Sequence, residues 1–143
     1  MPYRNQVART AAYAHREAFT ADATTLPYTI TALGGIVGGS KITRRLLGVV
    51  QLANGSVGLP AAAATGRVVG QLELVEADQK CTVLVGPNLL LSYFDAVSTT
   101  TNTIVLGDAI VIDQYGLAKT SATGEGKVVM IDTTAKTVEV LFN

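Results

Sequence analysis

Tryptophan is absent from this 143-residue chain, and cysteine and histidine occur once each, as Cys81 and His15. A lone cysteine excludes an internal disulfide, and with a lone histidine it excludes a Cys/His zinc site. Aromatic residues make up 6%, which counts against the exposed ring platform that a sugar-binding module wants. Charged residues make up 15%, well below the usual quarter, so much of the surface is expected to lie against other protein. The longest apolar stretches fall far short of the ~20 residues of a membrane helix, so no membrane partner is expected. Arg4, Arg9, His15, Arg16 and Glu17 interrupt any apolar core of a signal peptide, and the expectation is a chain made in a cytoplasm.

The formal net charge is zero, but the charges are segregated. Residues 1–45 carry six basic groups (Arg4, Arg9, Arg16, Lys41, Arg44, Arg45) and two acids; residues 46–143 carry five basic groups and nine acids. A basic leader therefore precedes an acidic body. Leader and body of different copies attract each other, and the leader favours acidic surfaces. Six spread basic groups are too few to predict direct nucleic-acid binding.

What the chain does have is a repeat. Gly48–Val57 runs from an alternating strand pattern into Asn54-Gly55, and Ala109–Ala118 runs from a second into Tyr115-Gly116, an offset of 61 when Gly55 is laid on Gly116. Small-residue patches come next (Pro60 to Thr65; Thr120 to Thr123), then Gly66-Arg67-Val68-Val69 and Gly126-Lys127-Val128-Val129 at an offset of 60. Each copy closes on a strand led by lysine, Lys80–Val85 and Lys136–Leu141, at an offset of 56. A repeated β unit with no catalytic constellation suggests a structural object.

The leader has a faint helical period, Val7, Ala11, Ala14 and Ala18, with Asn5 as a candidate cap. The expectation is an arm and hinge over 1–45, with one short strand at 28–32. Gly34–Lys41 fails as a phosphate loop, because no Gly-Lys-Ser/Thr run is present, and reads as a flexible hinge. The body, 46–143, is expected to be all-β, a small barrel or sandwich built from the duplicated unit. Strands are expected near 47–53, 67–75, 81–86, 89–94, 103–106, 109–113, 127–132 and 137–142. Asn54-Gly55 is the strongest hairpin signal. Ala61–Ala64 fits either a helical turn or a close-packed loop.

Candidates for chemistry are few. His15 lies in the leader, and Ser56 sits in a hairpin turn without the first glycine of a nucleophile elbow. Asp108, Asp113 and Asp132 stand at strand starts and turn edges, where aspartate bonds the local backbone. Cys81 reads as a small buried apolar residue. No catalytic, cofactor or metal residues are therefore assigned, and no enzyme is expected. Leu89-Leu90-Leu91 with Tyr93 and Phe94 reads equally well as a core strand or as a subunit interface with aromatic anchors.

The body resembles the small capsid cement, or decoration, proteins of tailed bacteriophages. The residues that carry the likeness are Val49–Leu52, Asn54-Gly55, Ala61–Thr65, Gly66–Gly70, Gly107–Asp113 with Gly116, and Val138–Asn143. They span about residues 46–143, and the leader is longer and more basic than in the plainest members. The resemblance implies a β-barrel or tulip-like domain that binds the outer capsid surface, often as a homotrimer, and clamps neighbouring major capsid proteins. It implies no cofactor and no catalysis, and a virion location after assembly in a host cytoplasm. On this reading the arm residues Tyr3, Arg4, Arg9, Tyr13, Arg16, Arg44 and Arg45 contact the shell. Leu89, Leu90, Leu91, Tyr93 and Phe94 are candidates for the contact between subunits. Removing residues 1–40 is expected to leave a folded body. The alternatives are another virion β protein, such as a head-fibre base or tail component, and a ligand-binding β module.

Overall fold

The computed structural model describes residues 15–28, 46–95 and 100–142, and among these the chain is all-β, with no helix. The strands are β1 (His15–Ala21), β2 (Gly48–Ala53), β3 (Ser56–Gly58), β4 (Thr65–Gly66), β5 (Gly70–Val75), β6 (Lys80–Val85) and β7 (Asn88–Ser92). They continue as β8 (Phe94–Asp95), β9 (Thr100–Thr101), β10 (Ile110–Asp113), β11 (Ala118–Thr120), β12 (Lys127–Asp132) and β13 (Thr137–Leu141). Five of them close a barrel in the order β1-β3-β2-β5-β6. The rest form three small sheets, β11-β10-β4, β12-β13-β7 and β8-β9.

The first departure from the sequence reading is β1. Residues 15–20 obey no helical period; they pair antiparallel with β6, from His15 opposite Val85 to Thr20 opposite Lys80. The expected helical stripe was mostly alanine and had little area to bury, so pairing and the packing of Phe19 on the barrel core outweigh local propensity. Leu26, beyond β1, is fully buried in the same core. Residues 15–28, assigned to the arm by sequence, are thus part of the barrel, and a cut after residue 40 would remove one of its five strands.

The repeat is real and larger than the sequence shows. Unit A, residues 15–85, consists of β1, the β2/β3 hairpin and the β5/β6 hairpin; unit B, residues 88–142, consists of β7, the β10/β11 hairpin and the β12/β13 hairpin. The second hairpins match bond for bond. Leu72 pairs Val83 and Leu74 pairs Thr82, with Glu73 bulged out between; Val128 pairs Val140 and Met130 pairs Glu139, with Val129 bulged out. A Cβ on Gly70 would lie 2.5 Å from the Val83 side chain and from the Leu84 carbonyl oxygen. One on Gly126 would meet the Val140 side chain at 2.7 Å and the Leu141 carbonyl oxygen at 3.0 Å. Both sites therefore exclude a side chain. The first strands match as well: Ala21 N–H donates to the Gln79 carbonyl at 2.8 Å, and Tyr93 N–H to the Lys136 carbonyl at 3.0 Å.

These matches correct two registers. Gly126 is the counterpart of Gly70, not of Gly66. Lys136 is the counterpart of Gln79, not of Lys80; both take a left-handed turn conformation, with φ of 64° and 59°. A slip of one residue turns every side chain to the opposite face. Only the corrected register lays Cys81 and Val83 on Val138 and Val140, and these four do face the two cores.

Each unit has its own core. Ten buried residues of unit A, from Ala21 to Val83, fill the barrel. Leu89, Leu91, Tyr93, Ile104, Ile110, Ile112, Ala118, Val128, Val138 and Val140 fill the other, joined by Val50 and Val68 from unit A. The expected strand at 103–106 is absent: this stretch leads into a turn in which Asp108 N–H donates to the Val105 carbonyl. Ala61–Ala64 is a hydrogen-bonded turn on the surface, Ala64 N–H to the Ala61 carbonyl at 2.9 Å. Asn54-Gly55 makes the hairpin its sequence promises, with Gly55 at φ 69°.

Candidate functional site

The place where the two units meet is built by a four-residue insertion. In unit A the turn Ala61–Ala64 leads through Thr65-Gly66-Arg67-Val68 before Val69 N–H bonds the Val49 carbonyl. In unit B the matching turn, closed by Gly124 N–H to the Ser121 carbonyl, runs directly into Glu125, whose N–H bonds the Ile110 carbonyl. The extra residues act on unit B. Gly66 and Thr65 pair as β4 with Ile112 and Asp113 of β10. Arg67 Nε lies 2.9 Å from Glu125 Oε1, and Val68 is buried in the unit B core. Ala63 N–H also donates to the Gln114 side-chain oxygen.

The junction completes what unit B lacks. In unit A, β1 lies parallel to β3, Thr20 opposite Ser56 and Ala21 opposite Val57, and this contact closes the barrel. The Val57 carbonyl there accepts the main-chain N–H of Asp22 at 2.8 Å. Ala118 is the counterpart of Val57, and its carbonyl accepts instead the side-chain amide of Asn102 at 2.8 Å. The same amide nitrogen donates to Asp113 Oδ2 at 3.1 Å. A buried side chain thus stands in for a strand, and satisfaction of its polar atoms is what makes it tolerable at 5% exposure.

A groove of about 560 Å³ runs along unit A beside this junction, between Val50, Gln51 and Leu52 on one side and Ala64, Thr65 and Arg67 on the other. Two smaller hollows flank the junction itself, one of about 190 Å³ at Arg67 and Glu125, one of about 230 Å³ at Asn102, Asp113 and Lys119. Among the described residues no three His, Cys, Asp or Glu side chains gather as a metal site.

The aspartates do the local work expected of them. Asp113 Oδ1 accepts the N–H groups of Tyr115 and Leu117, and Asp132 Oδ1 those of Thr134 and Ala135. Asp108 Oδ2 accepts the Val105 N–H and the Thr120 hydroxyl, and these two bonds hold its carboxyl below the usual range. Cys81 is buried on β6, and burial pushes its thiol up to about 11 against the pull of a hydrogen bond from the Phe19 backbone. It is a neutral packing group at ordinary pH. His15 lies on the exposed face of β1 with Nε2 3.0 Å from Glu17 Oε1.

Of the expected shell-contact residues, Tyr3, Arg4, Arg9, Tyr13, Arg44 and Arg45 lie outside the described residues. So do the hinge at 34–41 and most of the strand expected at 28–32. Arg16 is engaged within the chain: Nε donates to Glu73 Oε2 at 2.7 Å and a terminal nitrogen to Oε1 at 3.2 Å. In the apolar run, Leu89, Leu91 and Tyr93 are buried in the unit B core, and only Leu90 and Phe94 keep part of their surface. The core reading therefore takes three of the five. The residues that sequence reasoning missed are Thr65–Val68 and Asn102. The insertion shows as a change of offset between the copies, from 60 at Ala64 and Gly124 to 56 at Gly70 and Gly126, which the sequence matching of Gly66 to Gly126 had hidden.

Compared with protein-family models, with curated proteins and with solved structures, the chain matches none.

Proposed function

We propose that this chain is a structural virion protein, a capsid cement subunit that seats on an outer shell and ties neighbouring major capsid proteins together. The reading rests on where the motifs of the resemblance fall. In order, they lie on β2, on its Asn54-Gly55 turn, on the Ala61–Ala64 turn with the junction strand β4, on the run-in to β10 with its Asp113–Gly116 turn, and on the last strand β13. A likeness made of turn chemistry needs its residues at turns and strand starts, and these are there. The chain catalyses nothing and takes no cofactor in this role. Its partners are the major capsid protein and copies of itself, as a homotrimer, at the outer capsid surface. With Leu89, Leu91 and Tyr93 taken by the core, Leu90 and Phe94 are what that run offers to a neighbouring subunit. The basic segment ahead of β1 supplies the shell contact; many weak contacts repeated by symmetry give avidity without a single tight site.

Sedimentation of the full chain with and without empty phage shells tests this. The protein is expected to co-sediment with shells, and a chain lacking residues 1–14, which keeps all five barrel strands, is expected to fold and to lose shell binding. Full shell occupancy by that truncated chain would remove the arm from the account. Failure of the full chain to bind shells would remove the cement role; electron microscopy placing it on a fibre or tail would assign it to another part of the virion.

A further inference from the structure

The edge of β10 at Ile112 and Asp113 is covered by β4. Its counterpart in unit A, at the same offset of 61 that lays Gly55 on Gly116, is Gln51 and Leu52 on β2. That edge is open. β5 pairs β2 only at Gly48 and Val49, while Gln51, Leu52 and Ala53 are exposed, Leu52 by 46%. The 560 Å³ groove runs beside it, with Val50 in its wall. Open strand edges are normally guarded by charge or proline, because unpaired N–H and C=O groups invite another strand. Outward residues of β1 obey that rule with His15, Arg16 and Glu17, whereas β2 (Gly-Val-Val-Gln-Leu-Ala) carries neither charge nor proline.

We propose that the Gln51–Ala53 edge of β2 is a strand-addition site that takes an extended segment of a second copy of this chain. Two observations select a second copy. The twin site is already filled by this chain's own sequence, Thr65-Gly66, so the contact repeated between molecules continues one made within a molecule. Charge permits it too: the excess of six basic groups over two acids in residues 1–45 faces an excess of nine acids over five basic groups in 46–143, so two copies attract. Unit B cannot supply the filler from its matching position, because it lacks the four inserted residues. The filler therefore comes from elsewhere in the second molecule, end to side, a heterologous contact that builds rings where the rotation closes. This deepens the reading of a self-associating shell protein and rests on it only for the choice of partner.

The test is amide hydrogen exchange on the isolated full chain over about a hundredfold range of concentration. Exchange at residues 51–53 is expected to slow by about tenfold or more as concentration rises, while residues 112 and 113 stay protected throughout. In Leu52→Lys, a change at an exposed position, the slowing is expected to vanish with the melting temperature unchanged. Exchange at 51–53 that ignores concentration overturns the proposal, as does slowing that persists in Leu52→Lys. Slowing seen only when empty shells are added assigns the edge to a foreign partner and also overturns it. A protein that coats shells with these amides still open leaves the cement role standing and removes this inference alone.

Discussion

Unit A and unit B share one leading strand and two hairpins, down to the bulges at Glu73 and Val129, yet among the described residues only unit A closes on itself. The difference lies in the path of the chain beyond the first strand of each unit. After β1 the chain turns so that Asp22 N–H reaches the Val57 carbonyl, and the barrel seals. After β7 the chain makes the short β8/β9 hairpin and returns through Asn102, whose side chain meets Ala118 in place of backbone. Ser92 N–H, the counterpart of Thr20, is left to the Leu46 carbonyl of unit A at 3.0 Å. Unit B is thus completed by its sibling: β4 covers its edge, and Val50 and Val68 fill its core. A duplicated unit need not duplicate its closure; one copy can give up autonomy when the other is always tethered beside it.

The largest test of that asymmetry is in the cores. Leu91 is fully buried, and Leu91→Ala is expected to destabilise the chain by about 3 kcal/mol in a urea melt. Its counterpart Phe19 is only half buried, so Phe19→Ala should be the milder change despite the larger side chain. The reverse order would mean that unit B is less well packed than its burial shows. Next come the twin glycines: Gly70→Ala and Gly126→Ala should each lose about 2 kcal/mol by overpacking, the second aggravated by φ of 70°. A neutral result at either position would break the hairpin equivalence.

Cys81 sharpens the comparison from the alkaline side. Its unfolded thiol titrates near 9.0 and its folded thiol near 11. The stabilisation is complete below the unfolded value and is lost as pH climbs through the folded one, because the unfolded chain gives up its proton first. Melting temperature should therefore fall between about pH 9 and 11, and less so in Cys81→Val, whose side chain resembles that of its counterpart Val138. The smallest effect belongs to Arg67→Ala: an exposed pair with Glu125 contributes less than about 1 kcal/mol, and the loss should shrink further in high salt.

The sequence carried much of this and misplaced some of it. Asn54-Gly55, Gly116 and the alternating Val138, Val140 and Phe142 were legible because their signals are local: a turn that needs positive φ, and a two-residue period. Repeat boundaries were blurred by chance likeness. Gly66-Arg67-Val68-Val69 reads like Gly126-Lys127-Val128-Val129, but only the cross-strand bulge, a non-local feature, shows that Gly70 is the true mate. β1 was hidden because His15, Arg16, Glu17 and Ala18 are exposed on both of its faces and show no alternation, with Phe19 as the one large apolar anchor. Asn102 could not have been found, since a lone asparagine between two threonines gives no sign that a carbonyl waits for it sixteen residues on.

The most direct test is the main-chain NOE pattern of residues 15–21 and 88–92 in solution. Two tandem copies of one unit require cross-strand contacts that place Glu17 opposite Val83 and, in the same geometry, Leu89 opposite Val140. Helical contacts between neighbouring turns of residues 15–21, or a β1 register unlike that of β7, would contradict the account.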